Sequence, residues 1–494
     1  MINEKNRSWE IVYSDFSGME RKTVELLEKD VGTYILRKKG VYALYVLPCY
    51  KEGEKQVEKN AFVVGTYDES ALVRKFVKKD EIPEDGYCLK VVSRPENPAY
   101  SYVIVTALEQ KNLYYAALAF LQDYVYENAP LHGGGLRMPD LIFDSPLPEK
   151  TYVSAPKVKT RGIFAWGHPI NDYKKFIEDM ARQKLNQLIL WNDFVPLNAK
   201  DIADYAHSFG IELIWGFAWG WLAEGCDHVQ DLSPAVLKKI KEDVLKVFEE
   251  NYKDLGLDGI YFQSFTETTR EYIGDVLVAK AVTEFVNDVA GELLDRYPDL
   301  KIQFGLHGLS VINRLEEIAK VDKRVEIVWE DCGEFPFAYI PKVTDEAAFE
   351  KTLAVTEKIV NLRGDAPFGI VFKGFMTIDW MVSMEEALQF GPLQKGPYVL
   401  GENHAELSEC DKAVRKSIWA YFYGEWTQYG KYAQRLAQLV QKLTSGNVNF
   451  CMAGLFDGGI WAPEAICSEL FWDPDVNFAD AVCKTYARKD VELL

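Results

Sequence analysis

Strand and helix patterns alternate along most of the chain from Arg161 to about Leu443, and this alternation constrains the fold more than any other feature. The eight strand patterns are RGIFAWGH, QLILWND, IELIWGFAWG, DGIYFQSFTE, KIQFGLHG, VEIVWEDCG, FGIVFKGFMTIDW and YVLGENH. Such alternation predicts a parallel sheet, and near-continuous apolar strands indicate that both faces are covered. Eight units in this length are typical of a (β/α)8 barrel. A doubly wound open sheet is the alternative, but no GxGxxG follows the first strand.

The 494 residues exceed one ordinary domain, so the rest of the chain needs its own assignment. Residues 1–145 contain short apolar runs typical of strands, and helical spacing in LYYAALAFLQDYVYE and SALVRKFVKK. Pro146, Pro148 and Pro156 predict a linker. We therefore predict an α/β protein in which a small α+β domain (1–145) and a linker (146–160) precede a (β/α)8 TIM barrel (161–445). A short helical C-terminal extension (446–494) follows.

The charge of the chain excludes several classes of partner. Lys and Arg number 56 against 75 Asp and Glu, a net charge of −19, so neither nucleic acid nor an anionic membrane surface is an expected partner. No apolar run reaches the ~20 residues of a membrane-spanning helix. The first residues, MINEKNRSWE, lack the apolar core of a signal peptide, which predicts a cytoplasmic protein. A chain whose signal had been removed would read the same.

Cysteine and histidine spacing gives no support to a metal site. The eight cysteines include no CxxC, and the six histidines include no HxxxH or HExxH. We therefore predict no metal and no other cofactor, and interpret the cysteines as buried free thiols.

Polar and aromatic side chains gather where the predicted strands end, which is where barrel enzymes carry their chemistry. The expected substrate-binding residues are Trp166, His168, Trp191, Asn192, Asp193, Trp219, Gln263, His307, Trp329, Asp379 and Trp380. Flat aromatic faces beside hydrogen-bonding groups suit a sugar ring, so the set predicts a carbohydrate site. Any single tryptophan has a second interpretation, as packing inside the barrel or against its helices.

Glu267 is the first candidate for catalysis, because it follows the apolar strand of IYFQSFTETTR. Partial burial there would keep a carboxyl protonated, as a general acid requires. Glycoside hydrolysis needs a second carboxylate, which Glu330 or Asp331 would supply. These two are adjacent, so strand alternation allows only one to face the site. Asp379 and Glu402 are further candidates, and each of these carboxylates has the alternative role of a loop or helix-cap residue.

Several segments resemble known glycosidases. VIVTALEQKNLYYAALAFLQDYV resembles the small domain that precedes the barrel in β-N-acetylhexosaminidases and xylan α-glucuronidases, and TRGIFAWGH with the following helix is similar to their first barrel unit. SELFWDPDVNFADAVCKTYAR is similar to the helical tail of the α-glucuronidases. The resemblance covers nearly the whole chain in order.

The resemblance implies the same barrel fold and an acid on the fourth strand, at Glu267. The base carboxylates of the α-glucuronidases would correspond to Glu330, Asp331 or Asp379. Thr266 stands where the hexosaminidases have an Asp that orients the substrate acetamido group, so the substrate-assisted mechanism is not implied. Arg161, Lys373 and Arg270 are the nearest cations for a uronate carboxylate.

The predicted function is therefore that of a glycoside hydrolase, exo-acting on an N-acetylhexosaminide or a uronide, with an oligosaccharide or glycoside as its partner. A non-catalytic carbohydrate-binding barrel is the first alternative. A metal-dependent lyase or isomerase of sugar acids, with metal held by Glu330, Asp331 and Asp193, is the second.

Overall fold

The computed structural model divides the chain into two units. It describes residues 5–36, 47–131, 137–166, 170, 172–191, 195–220, 231–263, 265–308, 310–330, 346–375, 430–454 and 459–492. The first unit comprises Met1–Pro156, Ser208–Gly210 and Cys483–Lys489, and the second comprises Lys157–His207, Ile211–Val482 and Asp490–Leu494. None of the described helices is both long enough and apolar enough to cross a membrane.

The first unit contains a six-stranded mixed sheet. Its strands along the chain are Trp9–Tyr13, Cys49–Lys51, Asn60–Val64, Tyr87–Arg94, Asn97–Ala107 and Lys150–Ser154. In space they lie in the order second, first, third, fifth, fourth, sixth, and the fourth runs antiparallel to both of its neighbours. The helices of this unit are Gly18–Leu36, Leu113–Ala119 and Val125–Asn128, with a π turn at Phe120–Tyr124. Short 3-10 turns occur at Val73–Lys75, Lys79–Glu81, Gln110–Asn112 and Pro139–Asp144.

Aromatic packing forms the centre of the first unit. Trp9 lies 5.0 Å from Phe62 and 5.5 Å from Phe143, measured between ring centroids, and Phe120 meets Phe62 edge-on at 4.9 Å. Edge-on and tilted rings at this spacing attract beyond the area that they bury. The sheet and its helices therefore share one aromatic core, as an α+β domain requires.

Two expectations for the first unit need correction, and one of its helices was not expected. The proline-rich range 146–160 is not a linker throughout, because Lys150–Ser154 pairs with Tyr87–Val91 as the last strand of the sheet. The predicted helix SALVRKFVKK is reduced to 3-10 turns, since Ser70 Oγ and the Leu72 amide are both held by the Glu52 carboxylate. Gly18–Leu36 is a 19-residue helix with no counterpart among the sequence predictions.

The second unit is a closed barrel of eight parallel strands. Around the barrel they are Thr160–Trp166, Gln187–Trp191, Glu212–Gly216, Gly259–Gln263, Lys301–Leu306, Val325–Trp329, Phe368–Phe375 and Asn449–Gly454, called here the first to eighth strands. The eighth strand closes the barrel against the first, with Asn449 opposite Thr160 and Ala453 opposite Phe164. The predicted (β/α)8 barrel is therefore confirmed, together with an additional α+β domain and C-terminal helices.

Helices connect the strands of the barrel. They are Tyr173–Arg182, Ala199–His207, Pro234–Asn251, Val278–Arg296, Leu315–Ile318, Glu346–Val360 and residues 430–444, and the helices Ala462–Trp472 and Phe478–Ala487 follow the last strand. Two small ladders join Tyr272–Ile273 to Val276–Leu277 and Ile460–Trp461 to Val491–Glu492. Local chemistry sets some of the boundaries: the Asp172 carboxylate accepts from the Lys175 amide at 3.0 Å and so caps one helix.

The position of the eighth strand corrects the sequence prediction. The strand was expected at YVLGENH, which lies outside the described residues, and the barrel was expected to end at residue 445. The structure instead closes the barrel with Asn449–Gly454, in the range assigned to the helical extension.

Side chains alternate along each strand, so every second residue enters the barrel. The resulting interior cluster consists of Phe164, Ile189, Trp191, Ile214, Tyr261, Val328, Val371, Cys451 and Ala453. The carboxyl ends of all eight strands meet above this cluster, which is where a site is expected.

Candidate active site

Glu330 lies at the carboxyl end of the sixth strand, with its side chain directed into the barrel. Val328, two residues before it, belongs to the interior cluster, so alternation places Glu330 on the same side. The residue is 3% exposed. A carboxylate this buried needs hydrogen-bond donors, because its desolvation is otherwise costly.

Three side chains from the fourth and fifth strands surround that carboxylate. The Tyr261 hydroxyl donates to Glu330 Oε1, and Gln263 Nε2 lies 2.7 Å from Oε1 and 2.8 Å from Oε2. Nε2 of His307 lies 3.3 Å from Oε2. A phenol, an amide and an imidazole thus converge on one carboxylate at the mouth of the barrel. Donors of this kind stabilise the ionised form, so Glu330 is suited to accept a proton or to face a developing positive charge.

A glycine on the fifth strand leaves room for this arrangement. A Cβ at Gly305 would overlap both Glu330 Oε1 and the Tyr261 hydroxyl. The three residues therefore lie in one layer of the barrel, and the contact between Tyr261 and Glu330 depends on a missing side chain between them.

The Tyr261 hydroxyl stays protonated in this cluster. Burial, and then the neighbouring Glu330 charge, raise the pKa of Tyr261 well above its usual value. The phenol therefore remains a hydrogen-bond donor across the physiological pH range.

Thr266 fixes the loop that follows the fourth strand. Its Oγ1 accepts from the His307 amide at 3.2 Å, and its carbonyl accepts from Ser310 Oγ at 2.8 Å. Thr266 itself is fully buried. These bonds join the loop after the fourth strand to the loop after the fifth, and they hold the backbone of Glu267 beside that of His307.

Glu267 follows Thr266 and is half-buried, with its Oε2 shielded from solvent. A carboxyl in such surroundings fits the role of a general acid better than one in open solvent does. The structure thus places Glu267, Gln263, His307 and Glu330 at the same end of the barrel.

The predicted tryptophans separate into two groups. Trp191 faces the interior, where its ring lies 6.1 Å from that of Tyr261 and packs over Gly216. Trp219 is fully buried and stacks on Phe262 at 3.6 Å, on the face of the fourth strand that is turned away from the interior. Trp329 precedes Glu330 and therefore points away from the interior as well. For Trp219 and Trp329 the expectation of substrate contact is corrected, because both rings are buried in the layer between strands and helices.

The other predicted site residues are not described. His168, Asn192, Asp193, Asp331, Asp379, Trp380 and Glu402 lie outside the described residues, and so does the side chain of Trp166.

Sequence reasoning missed two members of the site, Tyr261 and Gly305. Alternation within GIYFQ places Tyr261 on the same face as Gln263, so the signal was present in the sequence. Gly305 gives no such signal, because its role depends on the strand register that pairs it with Gln263 and Val328.

Comparisons with known proteins give likenesses to solved structures alone. Neither a protein-family model nor a curated protein matches the chain. CpGH84B matches with 10% identity and a TM-score of 0.47, covering 97% of this chain and 70% of its own. A GH138 enzyme targeting pectin rhamnogalacturonan II matches with 11% identity and a TM-score of 0.48, covering 96% and 51%. β-N-acetylhexosaminidase from Bacteroides fragilis matches with 12% identity and a TM-score of 0.41, covering 74% and 71%.

The chain spans about half the length of two of the matched structures, the GH138 enzyme and CpGH84D, at 51% and 56% of those chains. What the strand pairing itself establishes is a (β/α)8-barrel protein that carries an additional α+β domain.

Proposed function

We propose that the chain is a glycoside hydrolase whose site lies at the carboxyl end of the barrel strands. One observation carries the proposal: the buried Glu330 carboxylate accepts hydrogen bonds from Tyr261 and Gln263 and lies beside His307. A fixed, ionised carboxylate at the mouth of a barrel is what stabilises an oxocarbenium-like transition state.

In this proposal Glu267 protonates the leaving oxygen, and Glu330 acts as base or nucleophile at the anomeric carbon. The separation of the two carboxyl groups sets the outcome: about 5 Å gives retention, and ~6.5–9.5 Å leaves room for a water and gives inversion. Trp191 packs against Tyr261, which bonds to Glu330, and so helps to hold that carboxylate in place.

We further propose an exo-acting enzyme on an N-acetylhexosaminide or a uronide. Both the exo action and the choice of sugar rest on the sequence resemblance to hexosaminidases and α-glucuronidases.

A carbohydrate-binding barrel without catalysis is the second candidate, and one observation favours it. Both oxygens of Glu330 already accept hydrogen bonds from the protein. With both oxygens engaged by the protein, Glu330 would hold the side chains at the mouth of the barrel in place and would not react with a substrate.

The test is monosaccharide release, followed by mass spectrometry, from a panel of uronyl-, N-acetylhexosaminyl- and neutral oligosaccharides. Wild type is compared with Glu267→Gln, Glu330→Gln and a surface control, Glu242→Gln, whose carboxylate is exposed on a barrel helix. The proposal expects release by wild type and by the control, with losses of about 10²–10⁴-fold in the Glu267 variant. If wild type and all three variants bind glycan but none releases a monosaccharide, the result would support the carbohydrate-binding barrel instead.

A further inference from the structure

Four polar side chains form a ring inside the barrel, at the end opposite to Glu330. They are Gln187, Gln303, Glu326 and Asn449, from the second, fifth, sixth and eighth strands. Gln303 Nε2 donates to Gln187 Oε1 at 3.0 Å and to Glu326 Oε2 at 3.3 Å, and Asn449 Nδ2 donates to Gln187 Oε1 at 2.7 Å. All three amide side chains are buried, with at most 3% exposure.

The ring has more acceptors than donors. Gln303 Oε1, Asn449 Oδ1 and Glu326 Oε1 are shielded from solvent, and none of them finds a hydrogen-bond partner in the described part of the chain. The segments that lead into all eight strands at this end of the barrel belong to that part. The amide hydrogens of Gln303 and Asn449 are turned toward Gln187 and Glu326, so their oxygens have to face elsewhere. Three buried oxygens without donors would each cost free energy unless something satisfied them.

Lys301 and Arg363 are near enough to interact with the charge of Glu326, but neither forms an ion pair with it. Within the described residues it forms no ion pair: Lys301 pairs with Glu212, and Arg363 donates to the carbonyls of Val325 and Pro367 at 2.9 and 2.8 Å. Burial raises the pKa of Glu326 above its usual value, and hydrogen bonds from Asn449 and Gln303, with the charge of Lys301, offset only part of that rise. A cation bound directly at the ring would stabilise the ionised form of this carboxylate.

A glycine keeps the neighbouring strand clear of the ring. A Cβ at Gly369 would lie 2.8 Å from Glu326 Oε1 and 3.3 Å from Asn449 Cβ. A side chain at position 369 would therefore crowd the unpartnered carboxylate oxygen.

We infer that this ring binds a monovalent alkali-metal cation, potassium or sodium. One carboxylate oxygen and two amide oxygens are the hard ligands that such ions prefer, and one positive charge balances the charge of Glu326. No three His, Cys, Asp or Glu side chains cluster among the described residues, which fits an alkali ion rather than a transition metal. The site is independent of the proposed glycosidase activity.

The test is thermal unfolding of the full chain in potassium chloride, sodium chloride or choline chloride at equal ionic strength. A cation bound only by the folded state raises the Tm, by about 2 °C for each tenfold rise in concentration above the Kd for a barrel of this size. Choline is too large to enter and serves as the reference. Equal Tm values in all three salts would overturn the inference.

Two variants locate the effect. Glu326→Gln and Gly369→Ala should each abolish the difference between potassium and choline, whereas the surface control Glu242→Gln keeps it. The rival is a protonated Glu326 that donates to Gln303 or Asn449, and it predicts no salt difference in wild type. If the variants fail to fold, rubidium-soaked crystals of wild type decide: an anomalous peak within the ring supports the inference, and its absence rejects it.

Discussion

Gly305 and Glu330 lie in the same layer of the barrel, and the carboxylate of Glu330 occupies the space that a side chain at 305 would fill. Gly305→Ala should therefore push Glu330 away from Tyr261. We expect a cost of about 1–3 kcal/mol in the free energy of unfolding, as for other overpacked interiors. Urea unfolding measures it.

Gly291→Ala is the matched control, because a Cβ there meets nothing within 4 Å and the residue lies inside the helix Val278–Arg296. That control should gain about 0.5–1 kcal/mol. A Gly305→Ala variant as stable as wild type would show that Glu330 moves at no cost.

Replacing Thr266 should disturb the site through the backbone of its neighbours. Thr266→Val removes the acceptor of the His307 amide and leaves that buried N–H unsatisfied, at a cost of about 1–3 kcal/mol. Under the proposed function kcat should fall, because Glu267 would no longer be held in place. Thr266→Ser keeps the hydroxyl and should retain both stability and kcat. Equal kcat values for the Val and Ser variants would separate Thr266 from the positioning of Glu267.

Trp191 and Trp219, which lie on opposite sides of the barrel wall, should differ in their effect on KM. Trp219→Ala should cost about 3–5 kcal/mol, because its ring is fully buried against Phe262. Trp191→Ala should cost a similar amount because that ring is also buried, and under the proposed function it should raise KM as well, because the ring packs against Tyr261, which bonds to Glu330. Denaturant unfolding and steady-state kinetics on both variants test this assignment, which fails if Trp219→Ala changes KM while Trp191→Ala leaves it unaltered.

The first unit should lose stability between about pH 4.5 and pH 7 through one residue. Burial raises the pKa of Glu20 from 4.5 to about 7, despite hydrogen bonds from Ser14 and Asp15. A carboxyl whose pKa is higher in the folded state contributes stability below its unfolded pKa, and loses that contribution as the pH rises through its folded pKa.

The loss should reach a few kcal/mol at most, since one pKa unit corresponds to about 1.4 kcal/mol. Glu20→Gln cannot ionise and should flatten this part of the profile. Urea unfolding of both proteins from pH 5 to pH 8 measures the difference, and parallel profiles would refute the assignment.

The barrel could be predicted because apolar strands and helices alternate, and that pattern survives any ambiguity at single positions. The eighth strand was misplaced for a physical reason. Asn449 faces the polar ring inside the barrel, so the strand NFCMAG begins with a polar residue. YVLGENH begins with Tyr398 and Val399, two residues that favour strands, and therefore gives the stronger strand pattern.

The site was partly predictable. Glu267, Gln263, His307 and Glu330 follow from their positions at strand ends, which a sequence reveals. Whether a strand-end aromatic faces inward does not follow in the same way, because loops such as the one before Trp219 break the alternation. The contact between Tyr261 and Glu330 joins residues 69 positions apart and depends on register.

The closure of the barrel has a consequence for synthesis. The first strand pairs with the eighth, so Thr160 has no partner on that side until Asn449 has been synthesised. Until then the outer strands of the unfinished sheet expose unpaired backbone groups, which invite aggregation. The first unit also takes in Cys483–Lys489. During synthesis the barrel therefore cannot close before residue 449 is made, and the first unit cannot be completed before residues 483–489 are made, so we expect nascent chains to depend on chaperones.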